Sequence, residues 1–94
     1  MERVREAITK TGATEAHLVT DRCIEMVLRE GRRVRLTAAQ DMIGAGFDAS
    51  WEQAHEVPRQ DVGTARAWSH VDLPWGSGET IEAALLSALI AFSA

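Results

Sequence analysis

The stretch that most constrains this chain is its last, residues 77–94, reading Ser-Gly-Glu-Thr-Ile-Glu-Ala-Ala-Leu-Leu-Ser-Ala-Leu-Ile-Ala-Phe-Ser-Ala. The spacing predicts a helix. Thr80 is the expected N-cap, its hydroxyl accepting from a first-turn N–H, and Glu79 and Glu82 place negative charge near the positive end of the dipole. No lysine or arginine occurs between Ile81 and Phe92. Ile81, Leu85, Ala88 and Phe92 mark one stripe, while Leu86, Leu89 and Ile90 spread apolar surface around the cylinder. A helix of roughly 14 residues is about 21 Å long, enough to span a small domain but short of the roughly 20 apolar residues that cross a bilayer. The rest of the chain is therefore expected to fold against it, with this helix central.

The 94 residues suit one domain around one core, and 46% apolar with 26% charged residues is the make-up of an ordinary folded protein. A formal charge of -4 argues against nonspecific attraction to nucleic acid or an anionic membrane, both of which reward a clustered positive field. Cys23 is the one cysteine, so no internal disulfide forms, and Met-Glu-Arg-Val-Arg-Glu at the start lacks the apolar run of a signal peptide. A cytoplasmic setting is the expectation.

Along the chain, Val4, Ala7 and Ile8 have helical spacing among charges, which predicts a short helix over 2–10 stopped by Gly12. Thr14 offers an N-cap for a second helix over 15–30, with Ala16, Val19, Cys23 and Val27 on one stripe, Glu25 and Arg29 as an i, i+4 pair, and Gly31 as the stop. A rival reading makes residues 15–20 a strand. Residues 32–37 alternate Val34 and Leu36 with arginines, as an exposed edge strand does. Residues 38–43 read as a short helix capped by Thr37, and a further helix starting at Asp48 or Ser50 would carry Trp51 and Ala54 as far as Pro58. Residues 58–63 read as a loop. Residues 64–73 alternate cleanly, with Ala67, Ser69 and Val71 facing one way and Arg66, Trp68 and His70 the other, and 74–78 form a turn into the last helix.

Little in the chain has the pattern of catalysis. His17, His55, His70 and Cys23 are never paired at the two-to-four-residue spacing of zinc ligands. His70 and Asp72 share a strand face without a nucleophile in register, and Cys23 sits on an apolar stripe with no adjacent base. Residues 76–80 place glycines at a helix N-terminus, but they lack the P-loop lysine and carry Glu79, so a plain capped turn is expected rather than an anion site. No cofactor and no metal are expected. The candidate contacts are instead Arg32, Arg33 and Arg35, in a basic run over 29–35, together with Arg66, Trp68 and His70 on the polar strand face, where arginine and tryptophan give the composition of a binding hot spot. Trp75 is expected to staple the turn to the core.

The segment 75–85 closes with Gly78-x-Thr80-x-x-x-Ala84-Leu85. It resembles the ending of many small α+β proteins encoded by phages and other mobile elements, including the phage sandwich-domain group. The resemblance covers under a fifth of the chain and carries over no functional residue; it implies small accessory proteins that act by binding, often on a host protein complex. The fold expected from all this is α+β, with two or three strands packed by helices around the C-terminal helix, or alternatively an all-helical bundle. The function expected is a non-enzymatic protein-binding module, an accessory or inhibitor protein; the alternative is a nucleic-acid-binding regulator using the 29–35 arginines. Apolar surface left over at Leu86 and Ile90 predicts a homodimer.

Overall fold

The structure is a computed structural model describing the backbone of residues 2–59 and 63–94 and the side chains of 2–55 and 67–94. Its elements run α1 (Glu2–Lys10), β1 (Glu15–Thr20), β2 (Cys23–Val27), β3 (Arg33–Gln40), β4 (Phe47–Arg59), β5 (Gly63–His70), β6 (Gly76–Gly78) and α2 (Ile81–Ser93). This corrects the expected fold. There are six strands rather than two or three, all in one antiparallel sheet of order β1-β2-β3-β4-β5 with β6 also on β4, and two helices rather than four or five. The helical bundle is excluded by the same sheet. Nor is the C-terminal helix a centre wrapped by other helices: with α1 it covers one face of the sheet.

Three expected helices are strands, and each has a local reason. In residues 15–30 the true period is two, since Ile24, Met26 and Leu28 are buried while Cys23, Glu25 and Val27 between them are half-buried. Thr14 caps no helix; its hydroxyl donates to Val27 O at 3.2 Å across the hairpin. The turn at Asp21 and Arg22 lacks the usual glycine or asparagine. Thr20 Oγ1 instead accepts from Arg22 N–H at 3.2 Å, and the register shift between Leu18 and Thr20 supplies the extra twist. Residues 38–40 continue β3, with Ala38 opposite Ala49. The β3–β4 turn is held by Asp41, whose Oδ1 accepts from Ala45 N–H at 2.9 Å, and by Gly44 at φ 71. It leaves Met42 and Ile43 bare at the tip. Residues 47–59 form β4, so Trp51 lies on a strand.

The core rows follow from the register. Ile24, Leu36 and Trp51 stand opposite one another on β2, β3 and β4, and all three are fully buried beneath Val4, Leu85 and Leu89. The Trp51 ring lies 5.2 Å from that of Phe92, and its Nε1–H donates to Pro74 O at 2.7 Å. The expected strand over 64–73 is broken rather than continuous: β5 pairs with Glu52–Arg59 of β4, β6 pairs with Phe47–Ala49 on the same edge, and residues 71–75 step out between them. Of the expected loop over 58–63, residues 58 and 59 end β4 and Gly63 begins β5, and residues 60–62 lie outside the described residues.

Residues 76–78, expected as a turn, are where α2 meets the sheet. A methyl group on Gly76 would strike the Ala88 N and Ala84 O atoms, and one on Gly78 would come 2.5 Å from Ala83 Cβ. The two glycines allow close approach of strand and helix backbones, and Ala83, Ala84 and Ala88 answer them from the helix side. Thr80 caps α2 as expected, accepting from Ala83 N–H at 3.0 Å. Among the described residues no helix is long and apolar enough to cross a membrane.

Candidate functional site

Helices cover one face of the sheet; the other faces outward. Its side chains are those at the alternate positions of each strand, and the register aligns them into a row that no stretch of sequence contains. His17 stands opposite Glu25, Glu25 opposite Arg35, Arg35 opposite Glu52 and Glu52 opposite His70. Five strands thus carry one row in which both acidic residues have Arg35 between them and a histidine at each outer end. Directly opposed residues with opposite charge stabilise a sheet.

Arg35 is the hub of this face. Its Nε–H donates to Glu52 Oε1 at 2.8 Å and its guanidinium lies 4.4 Å from the centroid of the Trp68 ring. The hydrogen bond to Glu52 is the first cause raising the pKa of Arg35, so the guanidinium stays charged wherever the fold persists. Both side chains remain about a third exposed, 32% for Arg35 and 33% for Glu52, so they are ordered yet reachable. Trp68 keeps one ring face under Arg35. Beside it on the same strand face is His70, whose ring meets Trp75 edge-on with centroids 5.9 Å apart. Trp75, expected to staple the turn to the core, is instead 55% exposed and extends this aromatic end of the surface. In the adjoining row Thr37 Oγ1 donates to Cys23 Sγ at 3.4 Å.

The structure brings Arg33, Arg35, Trp68 and His70 to one face, but it does not assemble a free basic patch. Arg32 Nε lies 3.9 Å from Glu30, Arg33 3.9 Å from Glu25 and Arg35 2.8 Å from Glu52. Arg32 sits in the β2–β3 turn, apart from the row. Arg66 belongs to β5, but its side chain lies outside the described residues. Leu86 and Ile90 are on α2, on the opposite side of the molecule. Sequence reasoning missed His17, Glu25 and Glu52 as site residues, because its leading reading places all three in helices and only the rival strand over 15–20 takes in His17; the alternation of Cys23, Glu25 and Val27 with Ile24, Met26 and Leu28 is the signal that finds β2.

The shape of this face limits its chemistry. A hollow lined by Glu15, His17, Glu25, Val27 and Arg33 holds about 70 Å³, far below the roughly 300 Å³ at which small-molecule pockets begin. Among the described residues no three His, Cys, Asp or Glu side chains cluster as metal ligands. What the surface offers is two ion pairs, Arg33 with Glu25 and Arg35 with Glu52, beside an aromatic end of Trp68, His70 and Trp75. No protein-family model, no curated protein and no solved structure matches the chain.

Proposed function

We propose that this protein is a non-enzymatic protein-binding module that docks a partner protein on the helix-free face of its sheet. In keeping with the ending of the chain, it acts as a small accessory or inhibitor protein on a cytoplasmic host complex. The observation that carries the reading is the row His17, Glu25, Arg35, Glu52 and His70 with Arg35 lying on Trp68. Held by Glu52 and lying on Trp68, Arg35 loses little rotamer freedom on binding, and an ordered arginine and tryptophan on a surface with only a small hollow fit another protein better than a small molecule. The carboxylates close to Arg32, Arg33 and Arg35 count against the nucleic-acid alternative, since a paired arginine releases no phosphate counterion without first losing its partner.

The test is affinity capture with mass spectrometry, comparing the unaltered chain with Trp68→Ser and with Arg35→Ser, each checked by circular dichroism. A partner retained by the unaltered chain and by Ile90→Glu, but lost by both sheet-face variants, supports the reading. An unchanged set of captured proteins refutes it. Gel-shift binding that is salt-sensitive and disappears when Arg32, Arg33 and Arg35 are replaced together would transfer the function to nucleic acid.

A further inference from the structure

The free edge of the sheet at β1 has a consequence that goes beyond the partner-binding reading and does not rest on it. β1 is the end strand of the order, pairs only with β2 among the described residues, and every residue of it except Leu18 is exposed. Sheet edges are ordinarily protected by lysine, by proline or by a covering element, and β1 has no lysine or proline and lies bare. Its one irregularity, the register shift between Leu18 and Thr20, leaves residues 15–18 regular. Which backbone groups are free follows from the hydrogen bonds one strand inward. Leu28 N–H donates to Arg32 O and Ala38 N–H to Arg22 O, each at 2.8 Å, and between them Met26 pairs with Val34 and Ile24 with Leu36. The even-numbered residues from Arg22 to Leu28 therefore bond to β3. The odd-numbered ones turn to β1, as Val27 O does in accepting from Thr14 N–H at 2.8 Å. Their partners on β1 are Glu15, opposite Val27, and His17, opposite Glu25. Ala16 and Leu18 are left pointing N–H and C=O away from the sheet.

The side chains beside those groups select the occupant. A copy of the same strand laid antiparallel about a twofold axis has to match outward residue with outward residue, which leaves three registers. Leu18 on Leu18 runs through the register shift. Ala16 on Leu18 sets His17 against His17 and Glu15 against Val19. Ala16 on Ala16 sets Glu15 of each copy against His17 of the other, a carboxylate facing an imidazole donor, twice. Both residues lie on the helix-free face, where they share a small hollow with Glu25 and Arg33. In this register His17 stands between Glu25 of its own sheet and Glu15 of the other copy, as Arg35 stands between Glu25 and Glu52, so the alternation of acid and base continues across the seam. The remaining charges sit at the strand ends. Asp21 and Arg22 are 3.8 Å apart at one end, and the Arg29 side chain lies against Gly12 at the other, so each end of the seam holds one acid between two arginines. Glu30 is 3.9 Å from Arg32, and Lys10 lines the hollow beside α2. We infer that a second copy of this chain pairs on β1, antiparallel about Ala16, joining the two sheets into one. Ala16 of each copy exchanges two hydrogen bonds with Ala16 of the other, and the helix-free face stays open on both copies.

Sedimentation equilibrium of the full chain, from low micromolar to several hundred micromolar, tests the pairing. The expected result is a mass that rises from one chain to two with concentration, as suits a contact one strand long, about 1,200 Å² or less. Ala16→Pro removes the outward N–H without touching a bond to β2, and Ala16→Lys sets like charges opposite each other at an exposed position. Each should weaken association by about tenfold or more while the circular dichroism spectrum is kept. Ile90→Glu, on the helical side, should leave association unchanged. Cross-linking in a Cys23→Ser background reads the register. Residues paired at the seam have Cα atoms about 5.5 Å apart, inside the disulfide range of about 4.4–6.8 Å, so Ala16→Cys should link two chains about tenfold faster than His17→Cys or Leu18→Cys. A one-chain mass at every concentration overturns the inference, whether or not the edge then takes up an extended peptide of another protein. So does a two-chain mass that survives Ala16→Lys or is lost in Ile90→Glu, or a cross-link that forms fastest at position 17 or 18. Should Ala16→Pro fail to fold, Ala16→Lys and the cross-links decide.

Discussion

Replacing Gly76 by alanine probes how the last helix is held. A methyl group there falls against Ala88 N and Ala84 O and comes 2.8 Å from Ala88 Cα, all of them backbone atoms of α2. No side-chain rotation relieves the clash. Carbon atoms rest about 3.5–4.0 Å apart, so α2 has to retreat by roughly 1 Å, and a gap of that size forfeits a quarter to a half of each dispersion contact across the seam. The seam includes Ala84, Leu85, Ala88 and Leu89, all fully buried. Overpacking alone costs about 1–3 kcal/mol, and the loosened seam brings the expected loss to about 4 kcal/mol. A 94-residue domain has a total of only about 5–14 kcal/mol. Urea unfolding followed by tryptophan fluorescence reads the loss, since Trp51 is buried in the fold. With a slope of about 1–2 kcal/mol per molar urea, the midpoint should fall by about 2–4 M or the variant should not fold. Ser77→Ala, at an exposed neighbour, should move it by less than about 0.5 kcal/mol. Two variants of equal stability would refute the close approach. A second arm sharpens the reasoning. Gly78→Ala meets the Ala83 side chain first, so Ala83→Gly should partly rescue it, by about 1 kcal/mol, whereas Ala88→Gly should not rescue Gly76→Ala, whose obstacles are backbone.

Three further outcomes are expected. Trp51→Phe removes the donor to Pro74 O and leaves a void beside Phe92, which should cost about 2–3 kcal/mol and lower the melting temperature by about 10 °C or more; a drop under about 4 °C would mean the indole contact contributes little. Thr80→Ala should cost about 1 kcal/mol in thermal melts while Thr80→Asp stays near the original, and an equal loss in both would argue against the cap. In a double-mutant cycle of Arg35→Gln and Glu52→Gln, the coupling should be about 1 kcal/mol or less at low salt and shrink in concentrated salt, as for a partly exposed pair; coupling that ignores salt would contradict that account.

Both helices were legible in the sequence because their signals are local: three-to-four spacing, Gly12 after α1 and Thr80 before α2. The strands over 32–37 and 64–73 were legible through alternation, although the first, expected at an edge, is the central strand β3 paired on both sides, and the second is broken after His70. β1 was legible only as the rival strand over 15–20 and β2 was not, because Val19 and Val27 place apolar residues on both parities and a turn of Asp21 and Arg22 lacks the glycine or asparagine that marks most two-residue hairpins. β4 was hidden by Asp48 and Ser50, which read as caps, and by Glu52, Gln53 and Ala54, which favour helices; pairing on both edges overrides that preference. The candidate site was half visible. Arg35, Trp68 and His70 are conspicuous residue types, but their partners Glu52 and Glu25 are set beside them by register, a property of strand pairing rather than of any one segment.

The order β1 to β5 is also the order of synthesis, so each of those strands pairs with the one made just before it, and the sheet can zip together by short steps. β6 and α2 cannot. They return to the start of β4, and α2 completes the core only once β6 has brought Gly76 and Gly78 into place. A nascent chain with its sheet formed but its last helix undocked holds Ile24, Leu36 and Trp51 bare on one face. That interval, rather than the finished molecule, is when this protein is most exposed to misassembly and most in need of a chaperone.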